Sequence, residues 1–561
     1  MRKIWKKTAN NKEVFKAMSE IGVDPLLSAM ISTRNYDIRN KEDLKNYISC
    51  NPDDLENYTK VPGMIESVKL IDDKYKKVVI FGDYDVDGLI STFMLKKVLS
   101  QIGIKDVTIH TPDRKLDGYG LNPRSFLNFQ KKFKNEKIDL LFMLDCGTNS
   151  KKEIQSIKDE FDNIKTIVVD HHIVSEGDFA SNADAITNPR LSEGTTPYCT
   201  GGLVYQLIRG LSERYPININ EYTAYAAITT IADVAELDSN NRNIVANGLK
   251  SMDKCVEKGF RTLMEVAGVD PNNCSVRDIS FGIAPRINAN GRIKKAEIVD
   301  QLLSTDNLQT AKSLVKEIND TNEERKKIQR KIIEESINSL EGFDGNAILV
   351  YDEKWHPGIV GIVASRLVEE FNVPTIVFGG DNGNIKGSAR SIGTINVKEA
   401  MDKIAHIFEV YGGHEMAAGA TLKKEFKEEA PELFDKAIVE YKKENNIDGI
   451  PVYYHLSLKE ETFKKFDESL CDKIEKLGPF GQGNEPLIFK VDNIKCTRVH
   501  QWSKNNGAFV KFGNAKLDCF YYGKDSKDSL EGKTMSILVE ICENFKDGEK
   551  WAFAIKEVEM S

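Results

Sequence analysis

Thiols are sparse and unorganised in this chain: nine cysteines are spread over 561 residues, with no C-x-x-C spacing and no pairing rhythm, which excludes a zinc ribbon and a disulfide framework. No stretch reaches the ~18 uninterrupted apolar residues of a membrane span. The basic start MRKIWKKTANNKEV has no apolar segment behind it, so neither secretion nor membrane insertion is expected and a reducing cytoplasm is the natural location. There is also no basic excess. Lys and Arg number 78 against 86 Asp and Glu, for a net charge of −8, which excludes a uniformly positive surface but leaves room for local basic grooves. The imbalance is uneven: residues 451–561 carry 17 Lys/Arg and 18 Asp/Glu, so most of the negative charge lies upstream, where bound cations could offset it. A prior of ~150 residues per domain implies three or four units.

Residues 1–70 read as a small helical lead-in, with NPDDLENY marking a turn and a helix start. From Lys77 the pattern alternates. VVIF is followed by a helix over about residues 89–102, VTIH at 107–110, a second helix, DLLFMLDCG, a third helix, and TIVVDHH at 166–172. Apolar runs alternating with helical segments predict βαβ units and a parallel sheet. The polar residues fall at the strand ends: Asp83, Asp85 and Asp87 after VVIF, Asp145 after LLFML, and Asp170, His171 and His172 after TIVV. Parallel strands open their carboxyl ends into one crevice, so these groups are expected to meet. Asp233 is read as a further acid inside the apolar helix YTAYAAITTIADVAEL, where a lone buried carboxylate needs a cation or a strong donor. The alternatives are a solvated acidic turn and a core histidine with its neighbour; neither explains why three strands deliver ligands to one edge. Hard carboxylates with some imidazole and no thiolate suit two divalent cations, manganese ahead of magnesium, rather than zinc or copper. Asp145 is the natural bridge between two such ions, a pair suited to clamping a phosphoester.

Further ligand-binding signals follow. TPDRKLDGYGL, residues 111–121, sets Arg114 beside a Gly-rich turn, and GIAPRINANGRI, residues 282–293, sets Arg286, Asn288, Asn290 and Arg292 among small residues. Residues 306–341 are expected to form a connecting helix, broken at most once. A second α/β unit then carries GSARS at 387–391 and GGHEMAAG at 412–419, where glycines flank Ser388, Arg390 and His414 and suggest accessible donors for phosphate oxygens. From Pro451 short β-rich runs predict a small barrel. There Arg498, Trp502, Lys504 and Phe509, with Lys511 and Phe512, interleave rings and positive charge as single-strand-binding OB-folds do, although at least half of such rings are expected to be barrel core.

DYDVDG, DCG, VVDHH and IADVAEL resemble the four motifs of the DHH phosphoesterase family. That resemblance implies metal ligands at Asp85, Asp87, Asp145, His171 and Asp233. Asp83 would join the same acidic cluster, Asp170 would support the His pair, and His172 would face the scissile phosphate, which makes these three the implied catalytic residues. WHPGIVGIVASRL, GSARS and GGHEMAAG resemble the DHH-associated domain, and LGPFGQGNEP the joint to an OB-fold; both, like the Arg114 and Arg286 segments, are similar to the RecJ group of the family. The implied architecture is α/β: a lead-in over 1–70, a parallel-sheet DHH domain over 71–305, the connecting helix over 306–341, a DHH-associated substrate-binding domain over 342–450 and an OB-fold β-barrel over 451–561. The resemblance further implies a cleft between the DHH and DHH-associated domains and a terminal 5′-phosphate pocket built from Arg114, Ser388 and Arg390. The implied activity is a monomeric, metal-dependent 5′-to-3′ exonuclease that degrades single-stranded DNA to mononucleotides in repair and recombination, beside a single-strand-binding protein or a helicase. Two other readings remain: a family phosphodiesterase for short oligonucleotides or cyclic dinucleotides, against which the barrel speaks, and a catalytically silent DNA-binding scaffold, against which the full ligand set speaks.

Overall fold

The apolar runs that end in acids pair side by side, and every pairing is parallel. In the computed structural model, which describes residues 2–34, 41–72, 74–114, 116–175, 177–381, 383–501, 507–522, 527–544 and 550–560, these runs are β1 (Lys77–Gly82), β2 (Asp106–His110), β3 (Leu140–Leu144), β4 (Lys165–Val169) and β5 (Ala185–Thr187). Their order is β2-β1-β3-β4-β5. Alternate residues bury both faces: Val78, Ile80, Leu140 and Phe142 pack into one core, and Val79, Phe81, Leu141 and Met143 into another, the two-sided burial expected of a parallel sheet. Register decides what happens at the edge. Gly82 pairs with Leu144, and Leu144 with Val169, so the next residue on each strand is an aspartate. Their N–H groups continue the ladder: Asp83 to Leu144 O at 3.3 Å, Asp145 to Val169 O at 3.1 Å and Asp170 to Thr187 O at 3.0 Å.

Helix α1 runs from Val86 to Gln101, three residues earlier than the sequence reading placed it. Asp85 is its N-cap, its side chain accepting the N–H of Gly88 at 3.2 Å, as N-cap aspartates do. Gly88 is required there because a Cβ would lie 2.5 Å from the carbonyl oxygen of Asp83. Helix α2 (Thr200–Ser212) and helix α3 (Thr223–Ala232) pack against α1. Asp233 is not inside a helix, as the sequence suggested, but is the residue after the last turn of α3, followed by Val234 in the left-handed region at φ +56°. The GIAPRINANGRI stretch is likewise helical: a π-helical turn over Asp278–Ile283 leads into helix α4 (Ala284–Ile293).

The chain divides into two units, residues 7–318 with 454–561, and residues 1–6 with 319–453. The lead-in is not purely helical, because the strand Lys3–Lys7 pairs with Ile450–Tyr454. Its helices Lys12–Glu20, Pro25–Ile31 and Lys41–Ser49 contribute Val14, Met18, Met30, Ile31 and Tyr47 to a core shared with the C-terminal strands. Those strands form a seven-stranded sheet. The connecting helix, Leu308–Ser339, is unbroken for 32 residues, as expected where neither Pro nor Gly interrupts it. In the smaller unit a mixed five-stranded sheet has the strand Asn384–Arg390 inside it, paired with Thr375–Asp381 on one side and Ala417–Leu422 on the other. GSARS is therefore sheet rather than turn, and Gly387 is needed because a Cβ would come 2.3 Å from the ring of Phe378. Among the described residues no helix is long and apolar enough to cross a membrane.

One histidine makes the larger unit sensitive to acid. His455 is buried, and its ring Nδ1 accepts the N–H of Ile488 at 3.0 Å while its backbone N–H donates to Ile488 O at 2.8 Å. Burial and then the charge of Arg34 push the imidazole down to about 4. The unfolded chain therefore binds this proton more readily, and the contribution, fully present above ~6.5, is lost as pH falls through 6.5 toward 4. Urea midpoints measured from pH 7 to pH 4.5 are expected to fall more steeply for the wild type than for His455→Gln, which starts lower but lacks this proton.

Candidate functional site

The carboxyl edge of the sheet gathers seven acidic and imidazole side chains into overlapping groups. Asp83, Asp85 and Asp145 form one, Asp87, His171 and Asp233 a second, and Asp145, His171 and His172 a third, each with ligand atoms within 4.8 Å of one another. The first two groups share no residue, and Asp145 and His171 link them. His171 Nε2 lies 3.2 Å from Asp145 Oδ1 and 3.9 Å from Asp87 Oδ2, and its Nδ1 lies 3.8 Å from Asp233 Oδ2.

Burial and mutual repulsion dominate the electrostatics. Asp83 and Asp145 are raised well above the ordinary carboxylate range by burial first, then by Asp85 for the one and Asp87 for the other. Burial, then Asp85, pushes Asp87 up to about 6, and burial, then Asp87, takes Asp233 to about 8. Four carboxyl groups held this way favour a cation among them. The donor set fits one: among the described residues no side chain donates to either carboxylate oxygen of Asp83, a residue 1% exposed, and a buried acceptor left so is costly unless something positive faces it. His171 is pushed down to about 4 by burial and by His172, so it presents the neutral ring a metal ion requires.

His172 behaves in the opposite way. Its Nδ1 is 2.7 Å from Asp170 Oδ1; burial opposes its charge, but the bond to Asp170 and that carboxylate's field push it up to about 9. Burial would raise Asp170, yet the hydrogen bond from His172 holds it well below the usual range. The Asp170 carboxylate also accepts the N–H of Thr148 at 3.0 Å and those of His171 at 2.8 Å and His172 at 3.2 Å. The result is one neutral and one cationic imidazole in adjacent positions.

Some participants escaped the sequence reading. The N-terminus of α2 faces Asp87, with the N–H of Thr200 at 2.7 Å and of Gly201 at 2.8 Å from its two oxygens, and Thr200 Oγ1 donates to Asp145 Oδ1 at 3.0 Å. The signal was CTGG opening an apolar helix, a helix N-terminus that can receive an anion. Tyr84 and Tyr119 also line the site: with Asp83, Asp85, Arg114, Asn288, Gly291 and Arg292 they surround a cavity of 160 Å³. The guanidinium of Arg114 stands 5.3 Å over the Tyr84 ring. Asn288 commits its Oδ1 to the N–H of Val86 at 3.1 Å, which fixes the start of α1. Arg286 is turned back to Gly282 O at 2.6 Å and is not among the residues lining this cavity.

The remaining sequence-derived residues are spread elsewhere. In the smaller unit Arg390 donates to Ser388 Oγ at 2.7 Å and to Ala389 O at 2.8 Å, while His414 is exposed between two strands. In the C-terminal sheet Arg498 is exposed; Phe509 is half-buried with its ring 4.7 Å from Phe520, and Phe512 is core. Trp502 and Lys504 lie outside the described residues.

Three family models match the chain: the DHH family N-terminal domain at residues 77–234, the DHHA1 domain at 344–441 and the RecJ OB domain at 460–557. The single-stranded-DNA-specific exonuclease RecJ of Bacillus subtilis is 30% identical over 578 residues, covering 99% of this chain and 71% of that one. The crystal structure of RecJ in complex with Mn2+ from Thermus thermophilus superposes with a TM-score of 0.79 at 24% identity, over 100% of this chain and 79% of that chain. A structure of exonuclease RecJ bound to manganese gives 0.59 at 29% identity, over 68% of this chain and 96% of the other.

Proposed function

This chain belongs to the RecJ family of single-stranded-DNA-specific exonucleases, and on that premise we propose that it hydrolyses single-stranded DNA from the 5′ end, releasing mononucleotides, at the cluster built by Asp83, Asp85, Asp87, Asp145, His171 and Asp233. The observation that carries the reading is the division of this cluster into two separate triads joined through Asp145 and His171. Divalent cations, manganese before magnesium, would be held by Asp83, Asp85 and Asp145 on one side and by Asp87, His171 and Asp233 on the other. When bound, such a pair supplies charge neutralisation for the phosphodiester and acidifies water for attack at phosphorus.

The protein's own groups supply the rest. His172, cationic through Asp170, would set its positive charge against a non-bridging oxygen of the scissile phosphate as negative charge builds there. Arg114 and Arg292, at the 160 Å³ cavity, would hold the adjoining phosphate. The neutral His171 keeps a lone pair for a cation, and the N–H groups of Thr200 and Gly201 fix Asp87 in place. In the reaction the water oxygen bonds to phosphorus, the bond from phosphorus to the 3′ oxygen of the first nucleotide's neighbour-facing linkage breaks, and that oxygen leaves with a proton.

A cytoplasmic, monomeric enzyme of DNA repair and recombination suits these features: all nine cysteines are free thiols, and the C-terminal sheet carries an exposed Arg498 opposite Lys511 and a partly open Phe509 opposite His500. A single-strand-binding protein or a helicase would supply the strand. The test is the product pattern on strands labelled at either end, with and without a 5′-phosphate, in Mn2+. Labelled mononucleotide released at once from the 5′-labelled strand, and late from the 3′-labelled one, is expected. A preference for a dinucleotide over the long strand would overturn the reading in favour of a small-substrate phosphodiesterase.

A further inference from the structure

The Tyr119 hydroxyl touches the ends of two strands at once. It donates to the peptide carbonyl of Asp145, after β3, at 3.0 Å, and its oxygen lies 2.8 Å from Nε2 and 3.3 Å from Nδ1 of His172, after β4. A hydroxyl has one proton and a peptide carbonyl only accepts, so the proton goes to Asp145 and the lone pairs face the imidazole, within reach of both its nitrogens. Asp170 already anchors Nδ1 at 2.7 Å. A ring anchored at one nitrogen can still swing, and the Tyr119 oxygen blocks that motion.

The second partner is strained. Asp145 has φ +59°, the left-handed region, which a residue other than glycine holds only when its surroundings enforce it. This conformation turns its carboxylate into both ligand groups to which it belongs.

The tyrosine is itself well fixed. Gly118 and Gly120 on either side have φ +82° and +61°, and a Cβ on Gly120 would lie 3.2 Å from the Cβ of Cys146. Asn122 Nδ2 donates to the carbonyls of Asp117 at 2.8 Å, Tyr119 at 3.0 Å and Gly120 at 3.3 Å. The Tyr84 ring meets the Tyr119 ring edge-on at 6.3 Å. The GYG turn is thus a rigid mount for one hydroxyl.

We propose that Tyr119 is a positioning residue for hydrolysis: its hydroxyl, aimed by its bond to the Asp145 carbonyl, sets the His172 ring toward the scissile phosphate. This rests on the reading that His172 faces that phosphate. The experiment is a double-mutant cycle on the full chain with Mn2+ and a 5′-phosphorylated single strand, comparing wild type, Tyr119→Phe, His172→Ala and the double variant. Tyr119→Phe is expected to lower kcat by about 10- to 100-fold with KM within about twofold, and the double variant to match His172→Ala within about threefold rather than multiply the two losses. A Tyr119→Phe enzyme with wild-type kcat beside a slow His172→Ala overturns the proposal alone, as do losses that multiply. A His172→Ala enzyme with wild-type kcat overturns the reading of His172, and the proposal with it.

Discussion

Asp145→Asn is expected to lower kcat on single-stranded DNA by at least ~10²–10³-fold, the scale on which preorganised electrostatic and metal-assisted stabilisation operates. Asp145 is 3% exposed, belongs to two of the three ligand groups, lies 3.2 Å from His171 Nε2 and is oriented by Thr200 Oγ1 at 3.0 Å. Asparagine keeps the shape and removes the charge. Stability should move the other way when no metal is added. Burial, then the neighbouring carboxylates led by Asp87, holds the Asp145 carboxyl above its ordinary range. A group raised on folding contributes stability at low pH that is lost as pH rises through the folded value. At pH 8 the neutral amide escapes that loss, so the metal-free variant should melt at or above the wild type. Added Mn2+, which stabilises the wild type by mass action, should raise the variant's Tm far less. Asp162→Ala, at an exposed position, should leave both readouts unchanged. Wild-type turnover in Asp145→Asn would remove Asp145 from the centre of the site.

Arg242→Met should have the largest effect on stability, about 3–5 kcal/mol, judged from the cost of uncovering buried hydrogen-bonding groups. Arg242 is 1% exposed, and its guanidinium reaches backbone carbonyls from two separate segments: Leu477 at 3.3 Å, Lys476 at 3.3 Å, Gly478 at 2.6 Å, and Tyr47. It also stacks 4.1 Å over the ring of Tyr47. One side chain on the helix Ser239–Leu249 thereby ties the lead-in and the turn before the C-terminal sheet to the helices packed beside the parallel sheet. Methionine fills much of the volume but offers no donor, so four carbonyls lose the guanidinium, and of these Leu477 O keeps the Asn484 amide at 3.0 Å. Urea denaturation should give the stated loss, with kcat at 20 °C close to wild type because Arg242 belongs neither to the ligand groups nor to the 160 Å³ cavity. A loss below ~1 kcal/mol would mean that water replaces the guanidinium without strain.

The parallel sheet and its ligand edge were legible because strand and acid repeat in the linear order: Asp145 and Asp170 follow an apolar run directly, and Asp83 follows one after Gly82. Register then makes them neighbours, and no long-range information is needed to anticipate it. Asp233 was found but misplaced, since an apolar helix with one acid near its end does not reveal that the helix stops at Ala232. The backbone donors on Asp87 were missed because Thr200 and Gly201 act through N–H groups, which any residue could offer; only the CTGG start hinted at them. Tyr119 was hidden for a different reason. Its role depends on a hydroxyl reaching residues 26 and 53 positions away, and its neighbouring glycines looked like an ordinary turn. That GSARS lies in a strand was not legible, because its glycine serves the close approach of Phe378 and breaks the apolar alternation that marks a strand. The lead-in gave no sign that its helices share a core with strands some 450 residues later, since amphipathic helices state that they pack but not against what.

Two divalent ions would be held by these side chains, one by Asp83, Asp85 and Asp145 and the other by Asp87, His171 and Asp233. Low-temperature electron paramagnetic resonance during Mn2+ titration of the purified chain tests this directly. Two ions per chain with an exchange-coupled signal, lost in Asp145→Asn, are expected. A single ion per chain, or two ions giving only the six-line spectrum of isolated Mn2+, would contradict it.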